Sequence, residues 1–175
     1  MKTERTRSDG MAVTLAEVAE HLRLNDDMYD AALISTMIDA ATLEIEDRAG
    51  LAVLTQTIRC TTDGTEGQDI ALPVGPATGT ATVEALGEDG SLTAVASGFW
   101  LETGRWPVLH LTDATITGRL RITYTAGSAT APNDVRHAIS DQVGMLYDHR
   151  LEPAKGMTWA ASAAALIARR GKVRL

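Results

Sequence analysis

The residues best suited to proton transfer, nucleophilic attack or metal binding are four histidines, His21, His110, His137 and His149, and the single Cys60. Each histidine falls in a different stretch, and none has the second histidine and glutamate of a zinc-protease helix. "YDHR" at 147–150 sets Asp148 beside His149, but adjacent residues on a helix do not face each other. A lone cysteine excludes an internal disulfide and a multi-cysteine zinc site, and its run, "TQTIRCTT", reads as a strand holding an inert thiol. "GPATGT" at 75–80 has the glycines of a phosphate loop without the lysine that would reach the phosphates. "DGTEGQD" spaces its acidic groups at 63, 66 and 69, which is not the alternating pattern of a calcium loop, and reads as a turn. No nucleophile elbow of the Gly-x-Ser-x-Gly type occurs. Trp100, Trp106 and Trp159 read as packing or interface residues, because a platform for stacked bases needs basic neighbours and only Arg105 is close. The reading is a protein that is not an enzyme, with no catalytic residues, no cofactor and no metal.

The elements that would position such groups come in two kinds. "TLAE" at 14–17 is a capping box opening a short helix, on which Leu15, Val18 and Leu22 share a face. Asn25, Asp26 or Asp27 can cap a second helix, "MYDAALISTMIDAATLEIEDRAG". Its apolar stripe is Ile34, Ile38, Ala41, Ile45 and Ala49, widened by Leu33 and Met37, and Gly50 is placed to end it in the left-handed conformation. From 51 to about 130 the chain turns rich in Thr, Val and Gly. Short alternating runs such as "RLRITY", where Leu120, Ile122 and Tyr124 face one way, lie between frequent turn signals. Helices return after Pro132, with Asn133 or Asp134 as caps and Val135, Ile139, Val143, Leu146 and Arg150 in line. The expected fold class is α+β. It consists of a small helical bundle around a long central helix, with an inserted antiparallel β-sandwich or barrel-like region and an Ala-rich C-terminal helix and tail. The expected division is a disordered leader (1–13), a helical core (14–50 and 131–151), a β-rich insertion (51–130) and a C-terminal helix with a basic tail (152–175).

Charge singles out one end. The chain carries −7 overall, yet four of its last seven residues are basic: Arg169, Arg170, Lys172 and Arg174. Without those four cations the remainder stands at −11, a surface that repels phosphate backbones. No stretch of 18 apolar residues marks a transmembrane helix, and "MKTERTRSDG" lacks the apolar region of a secretory signal, so no membrane partner is expected.

Two framing segments carry a resemblance. They are "TLAEVAEHLRLNDDMYDAALISTMIDAATLEIEDRAGLAVLTQTI" and, after the β region, "YTAGSATAPNDVRHAISDQVGMLYDHR". The acidic break "LNDD" before a long helix, the exit "IEDRAGLAVLTQT" and the lead "YTAG…AP" into a helix ending in "YDHR" resemble the head–tail connector, or head-completion adaptor, proteins. That family serves long-tailed bacteriophages and phage-like gene transfer agents. The resemblance spans most of 14–151. It implies a structural protein that forms a ring, twelvefold in the particle, beneath the portal protein. The ring extends the channel through which double-stranded DNA passes without sequence-specific binding, and it meets a tail-side stopper or terminator component. It also implies assembly in the bacterial cytoplasm and a final place in the particle neck. The portal-docking segment would be Arg169, Arg170, Lys172, Val173, Arg174 and Leu175, an arm that orders on an acidic, grooved partner. The exposed flank of the long helix, Glu44, Glu46, Asp47 and Arg48, is the expected ring interface. The alternative is a small DNA-binding or ligand-binding module using the basic tail or the β region.

Overall fold

A computed structural model describes residues 1–24, 29–65, 67–113, 116–150 and 159–171. The fold is α+β, as expected, and the chain divides into two compact units. The β unit comprises Met1–Ser8 and Leu54–Ala129; the helical unit comprises Asp9–Val53 and Thr130–Leu175.

In the β unit, β1 (Lys2–Arg7), β2 (Gln56–Gly64), β8 (Gly118–Ala126), β4 (Ala77–Leu86) and β5 (Leu92–Val95) form one antiparallel sheet in that spatial order. A second sheet runs β3 (Asp69–Ala71), β7 (Val108–Leu111), β6 (Phe99–Glu102). Strict alternation decides which face is inside. Ile58 and Cys60 of β2 pair with Tyr124 and Ile122 of β8, and all four are buried. Leu109 and Leu111 of β7 supply the inner face of the small sheet. The two layers meet at Gly64, where an added Cβ would lie 2.4 Å from Leu120 Cδ1 and 3.1 Å from Leu111 Cδ1. This is the expected sandwich. A register shift between Thr78 and Ala81 bulges β4, with Gly79 at φ +74° supplying a conformation other residues resist.

The leader differs from expectation. Lys2–Arg7 is a strand paired with β2 from Lys2↔Thr61 to Arg7↔Gln56. It has no apolar residue to bury, which hid it in the sequence. Backbone pairing to the free edge of β2 holds it, and its charges, including Glu4 at 3.8 Å from Arg59, blunt the new edge.

In the helical unit, α1 (Leu15–His21) opens on the expected capping box, with Thr14 Oγ1 accepting from Glu17 N and Glu17 accepting from Thr14 N. The N-cap of α2 (Ala31–Ala49) is Asp30, which accepts from Ala32 N and Leu33 N; Asn25, Asp26 and Asp27 lie outside the described residues. Gly50 is left-handed at φ +61°. The stripe of Ile34, Ile38, Ala41, Ile45 and Ala49 is buried, but Leu33 is exposed and does not widen it. α3 (Asn133–Asp148) follows Pro132 with no side-chain cap, so neither Asn133 nor Asp134 caps it, and it buries Val135, Ile139 and Val143. α4 (Ala161–Arg170) buries Ala163 and Leu166. Leu51–Val53 belong with the helices rather than the β region, because Val53 N donates to the buried Glu46 carboxylate at 2.7 Å.

Candidate functional site

The sequence offers interface residues rather than catalytic ones, and the helical unit gathers them at two places. The first is the end of α4. Arg170 and Arg169 both reach Asp134 Oδ2 in the first turn of α3, at 2.6 and 3.4 Å. An acidic residue in a first helical turn and basic residues in a last turn each complement their own helix dipole. The pairing therefore fastens α4 to the start of α3. Arg169 and Arg170 form part of a folded helix, where the sequence reading took them as part of the docking arm itself. Lys172, Val173, Arg174 and Leu175 lie outside the described residues. Gly171, the last described residue, donates its N–H to Ile167 O at 2.6 Å. A Cβ built on it would stand 3.8 Å from Arg48 O, so the chain leaves α4 beside the C-terminal end of α2.

The second place is α2 itself. An open cleft of about 480 Å³ is lined by Ala40, Leu43, Glu44, Asp47 and Arg48. Three of the four proposed ring-interface residues thus share one surface, and Glu44 holds Arg48 across one helical turn at 3.4 Å. Glu46 does not join them. It is 1% exposed, because it lies beside buried Ile45 and Ala49 at the edge of the stripe and its carboxylate receives Val53 N–H. Leu33 at 37% and Leu43 at 43% exposure are large apolar side chains on this helix. Sequence reading placed Leu33 in the core and did not single out Leu43. Arg48 also lies over the Trp159 ring, 5.5 Å from its centroid, which gives that tryptophan a packing role.

Two polar clusters were missed. In the β unit, His110 Nδ1 meets Asp69 at 2.6 Å and Nε2 meets Glu102 at 3.3 Å, while Trp100 stacks on the ring at 3.9 Å and 14°. In the helical unit, His21 Nε2 and His137 Nε2 approach the two carboxylate oxygens of Asp141 at 2.8 and 3.4 Å. Ser162 Oγ donates to the same carboxylate at 2.5 Å. The i,i+4 spacing of His137 and Asp141 was the readable signal; their partners from α1 and α4 come from tertiary packing. The carboxylate sits between hydroxyl and imidazole, whereas a hydrolytic triad needs the imidazole in the middle. Cys60 is buried and burial pushes its thiol pKa up, which agrees with an inert strand residue.

No protein-family model matches the chain, and no curated protein does. Solved structures do. The chain aligns over 100% of its length with 97% of a chain in the virion of a native gene transfer agent particle, with a TM-score of 0.82 and 26% identity. A chain in the neck of an empty gene transfer agent particle, computed with C6 symmetry, gives 0.81 at 26% identity with the same coverage. A chain in the neck of a native particle, computed with C12 symmetry, gives 0.74 at 24% and speaks to the fold. End to end, this chain shares its fold with chains of gene transfer agent particles.

Proposed function

We propose that this protein is a structural component of the neck of a phage-like particle. Within the neck it acts as the head–tail connector: a ring below the portal that extends the DNA channel and joins the head to a tail-side component. The observation that carries this reading is the end-to-end likeness to two gene transfer agent chains, one from a virion and one from a neck, at TM-scores of 0.82 and 0.81. The reconstructions of the similar necks with C6 and C12 symmetry favour a ring. The surface chemistry is consistent with it. An acidic body carries the cleft of Ala40, Leu43, Glu44, Asp47 and Arg48 as the ring contact, and residues 172–175 are the segment that reaches the portal. Arg169 and Arg170 anchor that segment to the unit through Asp134.

Deleting residues 172–175 leaves α4 and its ion pairs in place. The truncated chain is expected to melt as the full chain does and to fail to assemble on isolated portal rings. Normal ring formation by the truncation sinks the docking role of the tail. Absence of the full-length chain from the neck density of purified particles sinks the connector reading itself.

A further inference from the structure

Among the described residues, three donors of the metal-ligating kind converge at one point, His21, His137 and Asp141, with one ligand atom from each within 4.8 Å of the others. We propose that they form a binding site for one divalent transition metal of the zinc class, which ties α1 to α3. Two imidazole nitrogens and one carboxylate oxygen, with water in the fourth position, are a donor set that zinc accepts. Bonds of about 2.0–2.2 Å place the donors of a zinc tetrahedron roughly 3.4 Å apart. The separations from the Asp141 carboxylate, 2.8 Å from His21 to Oδ1 and 3.4 Å from His137 to Oδ2, are of that order, and the three ligand atoms all lie within 4.8 Å of one another.

The surroundings suit a metal. His137 and Asp141 stand one turn apart on α3 and present their donors on one face. His21, in the last turn of α1, comes from the opposite side. The Ser162 hydroxyl of α4 holds the Asp141 carboxylate, the kind of supporting hydrogen bond that orients a ligand. An open cleft of about 400 Å³, lined among others by Glu17, Glu20, His21, Arg136 and His137, gives entry and room for the water. The cation closest in sequence, Arg136, is engaged by Glu17, so its charge is offset, and Glu20 adds negative charge to the wall. The His110 cluster lacks this geometry, because its two carboxylates bind opposite nitrogens of one ring and do not converge.

The test uses the full-length chain without a histidine tag, stripped with a chelator and titrated with zinc chloride by calorimetry. One zinc per chain and a higher melting midpoint are expected. His137→Ala, at an exposed position, should keep the helical circular dichroism and weaken binding by at least 10-fold, on the order of what losing a ligand support costs. Ser162→Ala should weaken it by about 10-fold for the same reason. Cobalt(II) in the unmodified chain gives a second measurement that depends on no variant. It should add a visible ligand-field band and shift the NMR signals of His21 and His137 while leaving His110 and His149 in place. Failure of the wild-type chain to bind zinc overturns the proposal. So does unchanged affinity in His137→Ala, or a cobalt shift centred on His149.

Discussion

The two units hold their buried polar groups in opposite ways. In the β unit a buried phenol holds a loop backbone. Tyr124 Oη accepts from Val74 N at 3.2 Å and donates to Val74 O at 2.9 Å, tying a loop to β8. In the helical unit, long side chains leave a helix to satisfy the start of the next segment. Glu46 of α2 receives Val53 N–H at 2.7 Å, and Gln142 of α3 receives Ala160 N–H at 2.9 Å. The histidine clusters differ in the same sense. Register places Asp69 and Trp100 directly opposite His110 on its two neighbouring strands, so its partners lie on both sides. Helix packing instead turns His21 and His137 toward one carboxylate. A sheet distributes partners around a side chain, whereas a bundle focuses side chains on a point.

The comparison breaks first at Glu46. Glu46→Ala removes the acceptor from a buried amide and opens a void in the helical unit, and should cost about 3 kcal/mol. Glu46→Gln keeps an acceptor oxygen and should recover most of that loss. Urea unfolding followed by helical circular dichroism measures both, and equal stability of all three proteins would show that the clasp is incidental. The matching change in the β unit, Tyr124→Phe, leaves Val74 N–H without its phenolic partner and should cost about 2 kcal/mol. A neutral Tyr124→Phe would mean that the loop is held by Leu72 and Val74 packing alone.

What was legible in the sequence follows the same division. Side-chain periodicity is written in residue order, so "RLRITY" announced the inward Leu120, Ile122 and Tyr124, and the Ile34–Ala49 stripe announced the face of α2. Local capping was readable at Thr14 and Gly50 because every participant lies within a few residues. β1 was hidden because its stability comes from the edge of β2, distant in sequence (Lys2 pairs with Thr61 and Arg7 with Gln56), and its own residues are polar. Glu46 was misassigned for a related reason. A carboxylate in "LEIEDR" reads as solvated until the chain turns Val53 back on it. His137 and Asp141 were one helical turn apart in plain view, but His21 and Ser162 are brought to them by packing that residue order does not encode. Glu44, Asp47 and Arg48 share one cleft on α2, as their helical spacing allows, whereas the exposed Leu33 read as core because it widens the apolar stripe.

The smallest expected effect separates the histidine clusters by the sign of their pH dependence. Partial burial of His110 disfavours its charged form, but hydrogen bonds from the ring to the Asp69 and Glu102 carboxylates, together with their charges, outweigh it and raise its pKa above the ordinary value. Folding therefore favours the protonated ring. The stabilisation is complete below about pH 6.5, the unfolded value, and is lost as pH rises through the higher folded one. Asp69→Asn should lower the His110 titration midpoint seen by NMR and make the variant's stability deficit shrink as pH rises above that window. A deficit that grows with pH would contradict the assignment. Zinc at His21 and His137 must run the other way, because only neutral imidazoles ligate, so its affinity should rise with pH. One titration of the wild-type chain with and without zinc reads both trends. Parallel trends would mean that the two clusters are chemically alike, and that the geometric contrast between sheet and bundle has no consequence for what they bind.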